Sequence, residues 1–256
     1  MVEERGSTMN NFNGTPYVQE PQPGAYVAAA RGALPFIQKV YTAFLLGILI
    51  SVGAGAAMFM GPGASVPVGD RTVHVTYAMA WAMQNHVVLI VAFFVTFFLS
   101  MFLRRNNLAW LGLVLFTAVT GVFLAPTVFM YTVQSGPGTV GLAGALTVLV
   151  FGALTVYAFV SKVDFNFLGA GLFIALIGLI IGGLLNAFFF KSPFTHYLFA
   201  WGTVFIFGGY VLYDTSNMLR DPRRYGDVVG CALDLYLNAI NLFLAILRIV
   251  GGGGRD

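Results

Sequence analysis

Apolar runs of about membrane-spanning length recur along almost the whole chain, broken by short clusters of Gly, Pro, Asp and Arg. A bilayer core of ~30 Å takes about 20 apolar residues per helix. Runs of that kind predict seven spans, at 38–60, 86–103, 108–132, 140–160, 167–190, 194–218 and 228–250. The segment "GPGASVPVGDR" breaks the pattern after the first run, "RRNN" separates the second from the third, and "SGPG" closes the third. The pattern predicts an all-α membrane protein with seven transmembrane helices in one domain, residues 34–250. Residues 1–33 are rich in Asn, Pro, Gly and Gln and lack the apolar core of a secretory signal, so they read as a flexible tail. Residues 251–256 form a short C-terminal tail.

Polar positions within the last run have a helical period. Asp234, Asn238 and Asn241 stand at i, i+4 and i+7 and share one helix face, and Arg248 extends the stripe. A polar stripe in a membrane helix faces the bundle, so the seventh helix is expected to be central. The same stripe also reads as a hydrogen-bonded seam that only holds helices together. Small residues promise close helix approach, as at Gly178 and Gly182 in "GLIIGGLLN".

Composition removes the soluble alternatives. Of 256 residues 58% are hydrophobic and 9% charged, with a mean hydropathy of +0.83, so the lipid bilayer is the first partner. A net charge of +3, dispersed along the chain, gives no basic stripe for nucleic acid. Cys231 is the only cysteine, which excludes an intrachain disulfide and a thiolate cluster. Lys and Arg are asymmetric across the predicted spans. Arg5, Arg31, Lys39, Arg104, Arg105, Lys162, Arg220, Arg223 and Arg224 fall on one side, and Arg71, Lys191, Arg248 and Arg255 on the other. Nine against four puts the N-terminus in the cytoplasm.

Of ten acids, only Asp214 and Asp234 fall inside predicted spans. A carboxylate at membrane depth costs about 2.5 to 3.5 kcal/mol on insertion scales, which makes both functional candidates. Counting ~1.5 Å per residue from the helix ends puts both roughly 7 to 9 Å below one surface. Two carboxylates sharing a low-dielectric site titrate as a coupled unit and sense pH. Ionised, they offer the oxygen ligands that a hard cation such as calcium takes. The plainer reading is a pair of helix-end acids that reach the headgroups.

The motifs "YDTSNM" at 213–218, "ALDLYLNAINLFLAILRI" at 232–249, "LFTAVTGVFLAP" at 115–126 and "YAFVSKVDFNFLGAGLF" at 157–173 resemble the Bax inhibitor-1 family, and its bacterial members in particular. The resemblance covers the chain from about residue 34 onward. It implies a seven-helix fold with the last helix wrapped by the other six, and a proton-sensitive leak of calcium or other cations. It also implies two gating aspartates that share a proton. The first falls on Asp214. The second falls on Asn238, because the family's "LYLD" reads "LYLN" here. Asparagine cannot ionise, so two readings stay open. Either Asp234, one turn earlier on the same face, supplies the second carboxylate, or Asp214 and Asn238 form a permanent latch with weak pH sensitivity. The family's basic residue at the end of the second helix corresponds to Arg104 or Arg105, a possible latch for Asp214; positive-inside placement explains both arginines equally.

The function expected is therefore a pH-sensitive passive cation leak, with calcium as the transported ion and no cofactor. The other class in view is a membrane-embedded regulator that binds partner proteins, such as a quality-control protease, without transport. An enzyme is not expected. His74, His86 and His196 have no i, i+4 spacing for a metal, no serine has a GxSxG setting, and the last run has no lysine for a Schiff base. The bacterial motifs favour an inner-membrane location.

Overall fold

The structure, a computed structural model, describes residues 23–68, 71–104, 108–186, 193–221 and 227–252, with side chains described outside 23–33, 71, 193–194 and 196. Its elements run α1 (Pro23–Ala57), β1 (Gly63–Val68), β2 (Arg71–Thr76), α2 (Tyr77–Gln84), α3 (His86–Leu103), α4 (Ala109–Ser135) and α5 (Pro137–Val160). A 3-10 turn (Phe165–Phe167), α6 (Leu168–Leu185), α7 (Pro193–Arg220) and α8 (Val228–Gly252) complete them. This is an all-α membrane protein.

Among the described residues six helices are long and apolar enough to cross a bilayer, namely α1 from Leu34, α3, α4, α5, α6 with its preceding turn, and α8. The seventh expected run is 194–218. That run forms α7, which at 28 residues has the length but gives up apolarity at its far end, where Asp214, Thr215, Ser216 and Asn217 are all buried. Polar groups facing protein rather than lipid are tolerated there.

The last helix is the central one. Its spanning window is 67% buried, against 0–39% for the other five, and it packs on α1, α4, α5 and α7. Helix α3 lies outside on α4, and α6 outside on α7. Large apolar side chains such as Phe94, Phe98 and Phe102 on α3 and Ile174 and Ile181 on α6 are exposed, as a lipid-facing surface requires.

Gly178 and Gly182 differ, since a Cβ on Gly182 would meet the Phe199 ring of α7 at 2.8 Å. A Cβ on Gly178 would meet nothing within 4 Å, and α6 buries no residue. The intimate crossing is between α1 and α4, where a Cβ on Gly121 would collide with the Ser51 backbone. Small-residue spacing marks a close approach only on a face that meets another helix.

"GASVPV" and "RTVHVT" form an antiparallel hairpin, with Gly63 opposite Thr76 and Val68 opposite Arg71. The sequence reading treats this stretch as a break alone. Thr76 ties it down, since its hydroxyl donates to Met58 O at 2.6 Å and accepts from Met79 N at 3.1 Å, capping α2. Val73 and Val75 then pack with Met79, Ala125 and Phe129 over one end of the bundle. The opposite end carries Arg104, Arg220 and Asp227.

Candidate functional site

Helices α7 and α8 run side by side, and each buries one polar residue toward the other. Asp214 is 7% exposed and Asn238 4%. The Asn238 Nδ2 donates to Asp214 Oδ2 at 2.8 Å. An amide is the adaptable partner for a carboxyl group, because it donates to the ionised form and can turn its oxygen to accept from the protonated one. Beside this pair, the hydroxyls of Tyr41 on α1 and Thr215 on α7 stand 3.5 Å apart. Three helices therefore meet around one buried carboxyl group.

Counting along the helices places Asp234 level with Asp214, yet it is Asn238, one turn further along α8, that reaches it. Asp234 is half-buried and lies in the field of Arg104. Burial acts to lower the pKa of that guanidinium, but the hydrogen bond and charge of Asp227, reinforced by Asp234, outweigh it and leave the pKa raised. Asn241 turns back onto its own helix, donating to Leu237 O at 2.8 Å. Arg248 is exposed.

Arg104 caps the end of α3 and pairs with Asp227, through Nε at 2.9 Å and through Nη2. The same carboxylate accepts from Gly230 N at 2.8 Å. Asp227 thus fills the N-cap position of α8, where a negative charge is favoured by the helix dipole. Arg105 lies outside the described residues.

A second polar seam holds the segment between α5 and α6 against α7. Ser216 Oγ accepts from Phe165 N at 3.1 Å and from Arg220 Nη1 at 2.6 Å, and donates to Asp164 Oδ1 at 3.4 Å. Arg220 Nη2 reaches Ser161 O at 3.1 Å. The sequence reading missed this seam because its partners are about 50 residues apart. It also passed over Asp227, though an acid directly before an apolar run is a helix-start signal. Deeper in the bundle, Tyr236 is fully buried and its hydroxyl donates to Ser51 Oγ at 2.9 Å. Among the described residues no three His, Cys, Asp or Glu side chains converge as a metal site.

The model of the family described as inhibitor of apoptosis-promoting Bax1 matches residues 34–255. The chain is 30% identical to the Bax inhibitor 1 of Schizosaccharomyces pombe over 224 residues, 85% of this chain and 76% of that one. It is 29% identical to an uncharacterized membrane protein of Vibrio cholerae over 211 residues, 82% of this chain and 86% of that one. A Helicobacter pylori protein is 36% identical over 170 residues, 66% of this chain and 73% of its own.

Proposed function

The chain belongs to the Bax inhibitor-1 family, and on that premise we propose that it is a passive cation leak, with calcium as the permeant ion, gated by protonation of Asp214. The observation that carries the reading is the buried bond from Asn238 to Asp214 between α7 and the central helix. A carboxylate withdrawn from water into a helix interface has no evident use as a mere surface acid, and its protonation state changes what that interface is worth.

Gating follows from the chemistry of the pair. With Asp214 ionised, the Asn238 bond is charge-assisted and about twice as strong as a neutral one. Protonation leaves a neutral bond, loosens α7 from α8 and opens the path. The leak rises as pH falls. Asp234 sits one turn nearer the Arg104 end and attracts cations toward Asp214, while Arg104, expected as a latch for Asp214, instead clips α3 to α8 through Asp227. We place the protein in a bacterial inner membrane with its N-terminus in the cytoplasm, on the nine-to-four asymmetry of basic residues and the bacterial relatives.

The test is calcium flux into liposomes holding the purified protein, between pH 5 and 8. A flux that rises toward low pH supports the gate. A second reading, a regulator of membrane partners without transport, draws on the mutual satisfaction of Ser216, Arg220 and Asp164, which is what a purely structural seam looks like. Absence of flux at every pH, with the fold intact, favours that reading.

A further inference from the structure

Between α1 and α5, with α4 and α8 as its floor, lies an apolar crevice of about 860 Å³, a size typical of small-molecule sites. It follows α1 from Ala56, near the hairpin end, to Phe44, twelve residues and ~18 Å at 1.5 Å per residue. Gly144 and Gly152 leave one wall bare, and a Cβ at either would meet nothing within 4 Å. Phe44 and Phe151 stack across the crevice with ring centroids 5.2 Å apart. Past them, at its inner end, are Tyr41 and Thr155. Thr155 Oγ1 is buried and, alone among the described buried side-chain polar atoms, makes no hydrogen bond of good geometry; its polar neighbour is the Tyr41 hydroxyl, which also faces Thr215 at 3.5 Å.

A void of this kind forfeits dispersion contacts along its lining, and water does not stay in an apolar space. Hydrocarbon fills it. Apolarity alone selects nothing, because a lipid tail gains no hydrophobic energy by moving from bilayer to crevice. Thr155 supplies the selection, since an unsatisfied hydroxyl in a medium without water is costly and one ligand oxygen removes that cost.

We propose that the crevice binds a long-chain fatty acid, its carboxyl group hydrogen-bonded to Thr155 and its tail running toward the hairpin end. The acid is held neutral, since no Lys, Arg or His lines the crevice. A phospholipid acyl ester offers the same carbonyl but brings a charged glycerol phosphate, for which the lining has no Lys, Arg or His partner. The crevice adjoins the Asp214 pair through Tyr41, but its binding test needs no cation flux.

The experiment labels the full chain in phosphatidylcholine nanodiscs with diazirine-bearing palmitic acid and maps the modified peptides. Labelling is expected on α1 and α5, removed by excess palmitic acid. Gly152→Leu fills the crevice and lowers labelling at least tenfold with an unchanged melting temperature; if that variant fails to fold, Gly144→Leu serves in its place. Thr155→Val weakens competition by palmitic acid about tenfold, the worth of one hydrogen bond near the upper end of its range. Labelling by a diazirine hexadecane stays as it was. Three results overturn the proposal: labelling that survives both filled-crevice variants, equal loss of the acid and alkane probes in Thr155→Val, or equally efficient labelling of the same peptides by a diazirine phosphatidylcholine, which makes the occupant a bulk lipid.

Discussion

Gly230 on α8 is bare where the Arg104 guanidinium at the end of α3 lies against it, and a Cβ there would land on that guanidinium. The same group pairs with Asp227, the N-cap of α8. One arginine therefore joins the outer helix α3 to the start of the central helix, and one glycine makes room for it.

Gly230→Ala is expected to change stability by about 1 kcal/mol or less, because the displaced atoms are the far end of a flexible side chain that can swing away, and the better helix propensity of alanine offsets the lost pairing. Arg104→Ala removes a pair that is partly open to solvent and costs about 1 kcal/mol or less. The double variant should be no worse than Arg104→Ala alone, a coupling that thermal unfolding in detergent measures. Additive losses would mean that Gly230 and Arg104 act separately.

Tyr236→Phe leaves the buried Ser51 hydroxyl without its donor and is expected to cost about 1 to 3 kcal/mol. Ser51→Ala takes the same bond away from the tyrosine hydroxyl, leaving it Thr120, so the two losses should not add. Denaturation of both single variants and the double variant gives the coupling energy. A sum equal to the two single losses would remove the bond from the stability of the α1–α8 contact.

Much of this architecture was legible in the apolar runs, because a membrane imposes a length on them that local chemistry cannot disguise. The stripe of Asp234, Asn238 and Asn241 pointed to a central last helix, and the helix is central. What the stripe did not tell was which residue faces Asp214. Helices meet with an offset set by packing, so counting from two helix ends puts Asp234 level with Asp214, while Asn238, one turn further on, donates to it. Gly178 and Gly121 looked alike in sequence, and only the neighbouring helix separates them. The hairpin was hidden because six-residue strands interrupted by Pro67 read as loop, and Ser216 was hidden because its partners come from a distant turn.

Ser216→Ala removes the atom that Phe165, Asp164 and Arg220 all use. Hydrogen exchange at residues 161–167 is expected to quicken by about tenfold or more, the equivalent of ~1.4 kcal/mol of local stability, while the α1–α4 core keeps its protection. Unchanged exchange in that segment would show that burial of Phe165 alone holds it.

Asp214→Asn and Asn238→Asp test the gate with opposite signs. In the parent, ionisation of Asp214 strengthens the Asn238 bond, so calcium flux should fall as pH rises from 5 to 8. Asp214→Asn leaves two amides that do not titrate, and its flux should be flat over that range with helical content unchanged. Asn238→Asp gives two carboxyl groups that share one proton when closed. Loss of that proton leaves two like charges in contact, so this variant should open as pH rises, reversing the slope of the parent. Asp234→Asn, one turn away, should lower flux at every pH without changing its slope, because that carboxylate attracts cations but does not hold the latch. Liposome flux measured for the parent and the three variants separates these outcomes. A parent profile kept unchanged in Asp214→Asn, or a slope in Asn238→Asp of the same sign as the parent, would take the gate away from this pair.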